Sequence, residues 1–166
     1  MPSHPSIVES TPRLELLWHS EADTQAWARR LAALPGLRNA FIELRGELGS
    51  GKTSFVRHLL RALGVSGRIK SPTYAVLGPH QAPDGLAISH FDFYRFSDPR
   101  EWEDAGLRDV FAAPGLKLAE WPQHAAPLLP TPDLVLELAV DAGERRLVRG
   151  SAPTATGVRL LQELAR

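Results

Sequence analysis

The chain has no cysteine among its 166 residues. Disulfides, thiolate zinc sites and cysteine nucleophiles are therefore excluded. Nor does it have an excess of either charge, since nineteen Lys and Arg balance nineteen Asp and Glu. No global field draws such a chain to nucleic acid or to an anionic membrane, although local patches remain open. The six histidines (His4, His19, His58, His80, His90 and His124) form no H-x-x-x-H pair, so a histidine metal site lacks support. No apolar run approaches the ~20 residues that span a bilayer. The opening Met1-Pro2-Ser3-His4-Pro5 lacks the basic and apolar regions of a signal peptide. By elimination, a cytoplasmic protein without membrane contact is expected. The remaining composition is ordinary and globular, at a length that suits one domain over residues 1–166, burying about 70% of its unfolded surface.

The chain is organised around Gly46-Glu47-Leu48-Gly49-Ser50-Gly51-Lys52-Thr53, which fits G-x-x-x-x-G-K-[ST] at every fixed position. Ala40 to Leu44 reads as a short buried strand before it. Phe55, Leu59 and Leu63, flanked by Val56 and Leu60, make Lys52 to Leu63 an amphipathic helix after it. Strand, glycine-rich loop and helix make a cradle for phosphate. Glycines let successive N–H groups turn toward one anion, and the positive end of the helix dipole adds to their pull. Lys52 is expected to reach the β- and γ-phosphates of a nucleoside triphosphate, Thr53 to bind Mg²⁺ through its hydroxyl, and residues 46–54, Ser54 included, to line the nucleotide.

Around this unit, Leu14, Leu16 and Trp18 alternate as a first strand. Ser20 caps a helix running to about Leu34, with Asp23 as a variant capping box. Strands are expected at Ala75-Val76-Leu77, at Ala87 to Phe93, at Leu116 to Ala119 and at Leu134 to Val140, the last paired with Arg145 to Val148. Asp98 caps a short helix anchored by Trp102. The proline-rich run to Pro132 reads as a loop, and Val158 to Leu164 as a closing helix. Residues 1–12 read as a loose tail, and 150–166 as a segment of less certain, flexible character. Strands alternating with helices imply an α/β fold of three layers around a mostly parallel sheet, as in phosphate-loop NTPases.

A phosphate loop needs a carboxylate to complete the magnesium shell, and Asp92 and Glu120 are the candidates. Each follows an apolar stretch near a strand's carboxyl end, where open α/β sheets place ligands. Either could also orient the attacking water. Thr73 lies in a constrained turn, where its hydroxyl senses the γ-phosphate or simply stabilises the turn. Trp121, beside Glu120, lines the nucleotide pocket or packs in the core. Arg145, Arg146 and Arg149 form a basic cluster that contacts a nucleotide or partner, or is a solvated strand face.

These stretches together resemble the bacterial ATPase family of tRNA threonylcarbamoyladenosine biosynthesis known as TsaE or YjeE. The carriers are the glycine-rich loop, then Lys70-Ser71-Pro72-Thr73-Tyr74, His90-Phe91-Asp92-Phe93-Tyr94-Arg95 and Glu120-Trp121-Pro122, in order from about Leu14 to Arg149. The resemblance implies a small ATPase using ATP and Mg²⁺, required for threonylcarbamoyladenosine in tRNAs reading codons that begin with A. It also implies action on a heterodimer of TsaD and TsaB, with tRNA met only through that complex. Motif matching gives Lys52 and Thr53 the phosphate and Mg²⁺ roles and Glu120 the magnesium-linked carboxylate. Asp92 becomes the other acid, Thr73 a switch-like threonine, Trp121 a residue near the nucleotide, and Arg145 a nucleotide contact. Glu47 stands where the family often has Asp, Ser50 where it has Ala, and Gln123 where an acid is common after E-W-P. A small-molecule kinase and a non-catalytic, ATP-gated binding module are the alternative readings.

Overall fold

In the computed structural model, residues 12–98, 100 and 106–166 are described. The strands are β1 (Arg13–Trp18), β2 (Phe41–Arg45), β3 (Leu77–Gln81), β4 (Ala87–Asp92), β5 (Leu116–Glu120), β6 (Leu134–Val140) and β7 (Arg146–Ser151). The α-helices are α1 (Glu21–Ala32), α2 (Lys52–Ala62), α3 (Leu107–Ala112) and α4 (Ala155–Leu164).

The strands form one seven-stranded sheet in the order β1-β7-β6-β2-β5-β4-β3. Its centre is parallel, with β6, β2, β5 and β4 side by side. The edges are antiparallel, where β7 pairs with β6 and β1, and β3 pairs with β4. The expected mostly parallel sheet is thus found at its centre. Side chains alternate across each strand, so β2 sends Ile42 and Leu44 to one face and Phe41 to the other. On the first face α1, α2 and α4 bury Leu31, Phe55, Leu59 and Leu161 against the sheet, with Trp18, Trp27 and Phe55 in mutual ring contact. On the second, Phe41, Phe91 and Phe93 pack with Leu107 of α3 and with Ala125. With both faces covered, the central strands bury polar side chains such as Glu43, His90 and Lys117 among their apolar ones.

Several local expectations need correction. The strand expected at 75–77 begins only at Leu77, whose ladder partner is Phe91. Val76 donates its N–H to Pro72 O at 2.7 Å and takes a left-handed φ of 68°, which closes a turn and takes its N–H out of the ladder, while its carbonyl accepts the Asp92 N–H at 2.8 Å. Ser20 stands at the N-cap of α1 without a side-chain cap bond. Asp23 instead accepts the His19 N–H at 2.8 Å, so the capping box does not form. The proline-rich run holds 3-10 turns over Pro122–Leu128, broken at Ala125. The segment expected to be flexible after residue 149 is packed. Thr154 caps α4, accepting from Gly157 N and donating to Asp133 at 2.6 Å, while Asp133 accepts the Phe41 N–H of β2. Trp102 and the tail at 1–11 lie outside the described residues, whereas Asp98 accepts the Arg100 N–H at 2.9 Å.

Candidate active site

Because β2, β4 and β5 are parallel, their carboxyl ends meet at one edge of the sheet. The glycine-rich loop leaves β2 there, Asp92 closes β4, and Glu120 closes β5 directly opposite Asp92 in register. That shared edge is where open α/β sheets bind ligands. The loop reaches α2 through left-handed backbone at Gly49 (φ 77°) and Gly51 (φ 108°). It delivers Lys52 and Thr53 to the first helical turn, whose N–H groups have no partner within the helix. A cleft of about 690 Å³ opens over this turn.

One arm of the cleft holds the acids. Thr53 donates its hydroxyl to Glu120 Oε1 at 2.7 Å, and Glu120 Oε2 meets His90 Nε2 at 2.6 Å. Asp92 accepts from Ser71 Oγ (2.9 Å) and Thr73 Oγ1 (3.1 Å) on one oxygen and from the Tyr94 N–H (3.0 Å) on the other. Asp92 therefore latches the Ser71–Thr73 turn to the sheet, and Glu120 is the acid in contact with Thr53. Lys52 donates to Gly46 O and Glu47 O at 2.5 and 2.9 Å and lies 4.4 Å from the centre of the Trp121 ring. Burial pushes its pKa below the ordinary lysine value, against the opposing pull of Glu120, Asp92 and Glu47. Trp121 takes a left-handed φ of 56° and packs against Tyr94 and His124.

The other arm runs between the loop and α1, past Trp18, Ser20 and Glu21. Ser54 turns toward α1, donating to Glu21 at 2.8 Å, and His58 meets the same carboxylate at 2.5 Å. The His58 hydrogen bond, then that of Ser54, hold the Glu21 carboxyl below its usual range, with a smaller contribution from the charge of Arg146.

The structure brings Leu48, Gly49, Gly51, Lys52, Thr53, Ser54, Thr73, Asp92, Glu120 and Trp121 to the cleft wall. Gly46 and Glu47 stay behind it, holding Lys52 through their carbonyls, and Ser50 is buried with its hydroxyl unpartnered. Arg145 is not brought there. It pairs with Asp141 at 2.8 Å, while its neighbour Arg146 lines the cleft and reaches Gly49 O at 3.5 Å. The alternation of β7 was the signal that could have found it, since Arg146 shares a face with buried Val148. Tyr74, Tyr94 and Arg95 join the rim, and Arg95 stacks 4.6 Å over the Tyr74 ring.

Among the described residues, no group of three or more His, Cys, Asp or Glu is set to hold a metal. A cation here would take one hydroxyl and one carboxylate from the chain and the rest of its shell from a ligand or water. That oxygen-only, partly hydrated set fits Mg²⁺. Nor is any helix among the described residues long and apolar enough to cross a membrane.

Residues 18–148 match the model of the family described as threonylcarbamoyl adenosine biosynthesis protein TsaE. The tRNA threonylcarbamoyladenosine biosynthesis protein TsaE of Haemophilus influenzae is 38% identical over 97 residues, 58% of this chain and 61% of that protein. The protein of the same name from Bacillus subtilis is 31% identical over 157 residues, 92% of this chain and 95% of the relative. A crystal structure of Bacillus subtilis YdiB superposes with a TM-score of 0.78 at 25% identity, covering 94% of this chain and 96% of that one. With the loop, the two acids and the Ser71–Tyr74 turn all inside the matched span, the chain belongs to the TsaE family of threonylcarbamoyl adenosine biosynthesis proteins.

Proposed function

We propose that this protein binds ATP with Mg²⁺ at the glycine-rich loop and hydrolyses it in the service of tRNA threonylcarbamoyladenosine biosynthesis, acting on a complex of TsaD and TsaB. The observation that carries the nucleotide reading is the 2.7 Å bond between Thr53 and Glu120, made at the open first turn of a helix that follows a left-handed glycine loop. A hydroxyl and a carboxylate in that place serve one purpose economically: they hold a divalent cation beside phosphate oxygens. Family membership supports the biosynthetic role.

In this reading the loop and helix N–H groups bind the phosphate oxygens, and Lys52 leaves the Gly46 and Glu47 carbonyls to reach the β- and γ-phosphates. Thr53 and Glu120 would hold Mg²⁺, which would supply positive charge against the charge developing on those phosphates. Asp92 keeps the Ser71–Thr73 turn against the site, with the Thr73 hydroxyl on the γ-phosphate side. Trp121, fixed by Tyr94 and His124, covers Lys52 and excludes water from it. A water attacks the γ-phosphorus, the bond to the bridging oxygen breaks, and ADP and inorganic phosphate leave, both of the water's protons departing with the phosphate.

Phosphate release with and without TsaD and TsaB, for wild type and Glu120→Gln, tests the proposal. Weak turnover alone that rises with the partners, and is lost in Glu120→Gln while nucleotide still binds, is the expected result. Wild-type protein that binds no Mg–ATP would sink it. ADP appearing with a phosphorylated metabolite would mean a kinase, and full tRNA modification by Glu120→Gln would mean a binding module.

A further inference from the structure

His90 does not line the cleft, yet it touches the acid that faces Thr53. The pair is enclosed, with His90 and Glu120 side chains 0% and 2% exposed. We propose that His90 is a positioning residue, which fixes the Glu120 carboxylate so that Oε1 is presented to Thr53 and the cation beside it. This rests on the nucleotide reading above.

The geometry comes from strand register. In the parallel β4–β5 pair, His90 lies opposite Leu118 and Asp92 opposite Glu120. Residues two apart on a strand share a face, so His90 is the diagonal neighbour of Glu120, one step deeper in the sheet. From there the imidazole can reach only the carboxylate oxygen turned inward, Oε2. The outward oxygen, Oε1, is left to Thr53.

The hydrogen-bond inventory points the same way. Among the described residues His90 Nδ1 is buried without a hydrogen-bond partner, and the ring's hydrogen bond is to Glu120. A histidine kept for packing alone would be replaceable by an apolar residue, and one kept for its own satisfaction would have both nitrogens bonded. A carboxylate oxygen accepts, so in this contact Nε2 is the donor and Oε2 the acceptor. That bond holds Oε2 in place and leaves Oε1 free for Thr53. Outer partners of this kind commonly change metal affinity or activity about tenfold to a hundredfold when removed.

The test uses the full chain as wild type, His90→Leu, His90→Gln and Glu120→Gln, plus the His90→Leu/Glu120→Gln double variant. Mn²⁺ affinity is read by electron paramagnetic resonance with a non-hydrolysable ATP analogue, alongside kcat, KM for ATP and thermal melting. His90→Leu should weaken Mn²⁺ about tenfold or more and lower kcat, with KM little changed. His90→Gln, whose amide can donate from nearly the same place, should recover much of the loss. In the Glu120→Gln background, His90→Leu should cost nothing further. Full metal affinity in a folded His90→Leu, equal loss in both backgrounds, or no rescue by His90→Gln would each overturn the positioning role. If His90→Leu does not fold, His90→Ala carries the test in both backgrounds, and a loss that is the same in each overturns the role. Wild-type protein that binds no Mn²⁺ with the analogue overturns the nucleotide reading itself, and this role with it.

Discussion

Lys52 Nζ lies 2.5 Å from Gly46 O and 4.4 Å from the centre of the Trp121 ring, so the chain itself occupies this ammonium. The contacts tie the loop, α2 and the end of β5 into one unit. In the proposed nucleotide complex these partners would be exchanged for phosphate oxygens, at little loss because the donors would stay satisfied throughout.

The burial of Lys52 has a stability signature. Its folded pKa is lowered from 10.5, chiefly by desolvation of the charged form. Below the folded pKa the amine is charged in both folded and unfolded chains, and the whole penalty is present. As pH rises through the folded pKa toward the unfolded value, the folded amine loses its proton first and the penalty fades. Wild type should therefore gain stability relative to Lys52→Met between neutral pH and about pH 10. Urea unfolding of both proteins across that range checks it, and a constant or opposite difference would refute the assignment.

Two glycines of the loop, Gly46 and Gly49, should behave differently. A Cβ on Gly46 (φ 150°) would lie 2.4 Å from Leu138 O and 2.5 Å from Ser50 Oγ, whereas one on Gly49 (φ 77°) meets nothing within 4 Å. Gly49→Ala carries only the left-handed backbone cost, about 1–2 kcal/mol. Gly46→Ala adds a clash with main chain that cannot move aside, and should cost more than ~3 kcal/mol. Denaturant midpoints would rank them, and equal losses would mean the loop is freer than its contacts imply.

Asp92 should act on the turn before it acts on chemistry. It accepts from two hydroxyls and one N–H, and an amide oxygen and nitrogen cannot satisfy all three donors. Asp92→Asn is expected to cost about 1–3 kcal/mol. Amide hydrogen exchange should quicken selectively over residues 71–76, where Val76 already holds a left-handed φ of 68° that a β-branched residue rarely takes. Uniform exchange changes across the sheet would show that Asp92 supports the fold generally and not this turn.

Much of this was legible in the sequence because it is local. The glycine-rich pattern fixes loop, helix start and two site residues within eight positions, and apolar residues clustered in β2, β4 and β5 announce strands. What stayed hidden is long-range. Asp92 and Glu120 were interchangeable until register put them side by side and Thr53 was seen to choose Glu120. Antiparallel β7 and β1 close one edge of the sheet, which no periodicity reveals, and Val76 defeats a strand reading that its residue type favours.

Arginines 145 and 146 show the same limit and yield the last prediction. Composition presents them as one cluster, but a step of one residue changes the face of the chain. Arg145 closes the turn before β7 and pairs with Asp141, both partners about two-fifths exposed. An exposed pair of this kind is worth under ~1 kcal/mol. Arg146 begins β7 opposite Trp18, donates to Glu144 O at 2.8 Å and lies along Gly51, where an added Cβ would come within 3.6 Å of its Nε. Its charge is thus fixed beside the glycine-rich loop. Arg146→Ala should weaken Mg–ATP binding by about tenfold, ~1.4 kcal/mol, and most at low salt, because the attraction is screened. Arg145→Ala should leave binding unchanged. Calorimetric titration at two ionic strengths measures both, and a loss in Arg145→Ala with none in Arg146→Ala would reverse the assignment of the cleft's second arm.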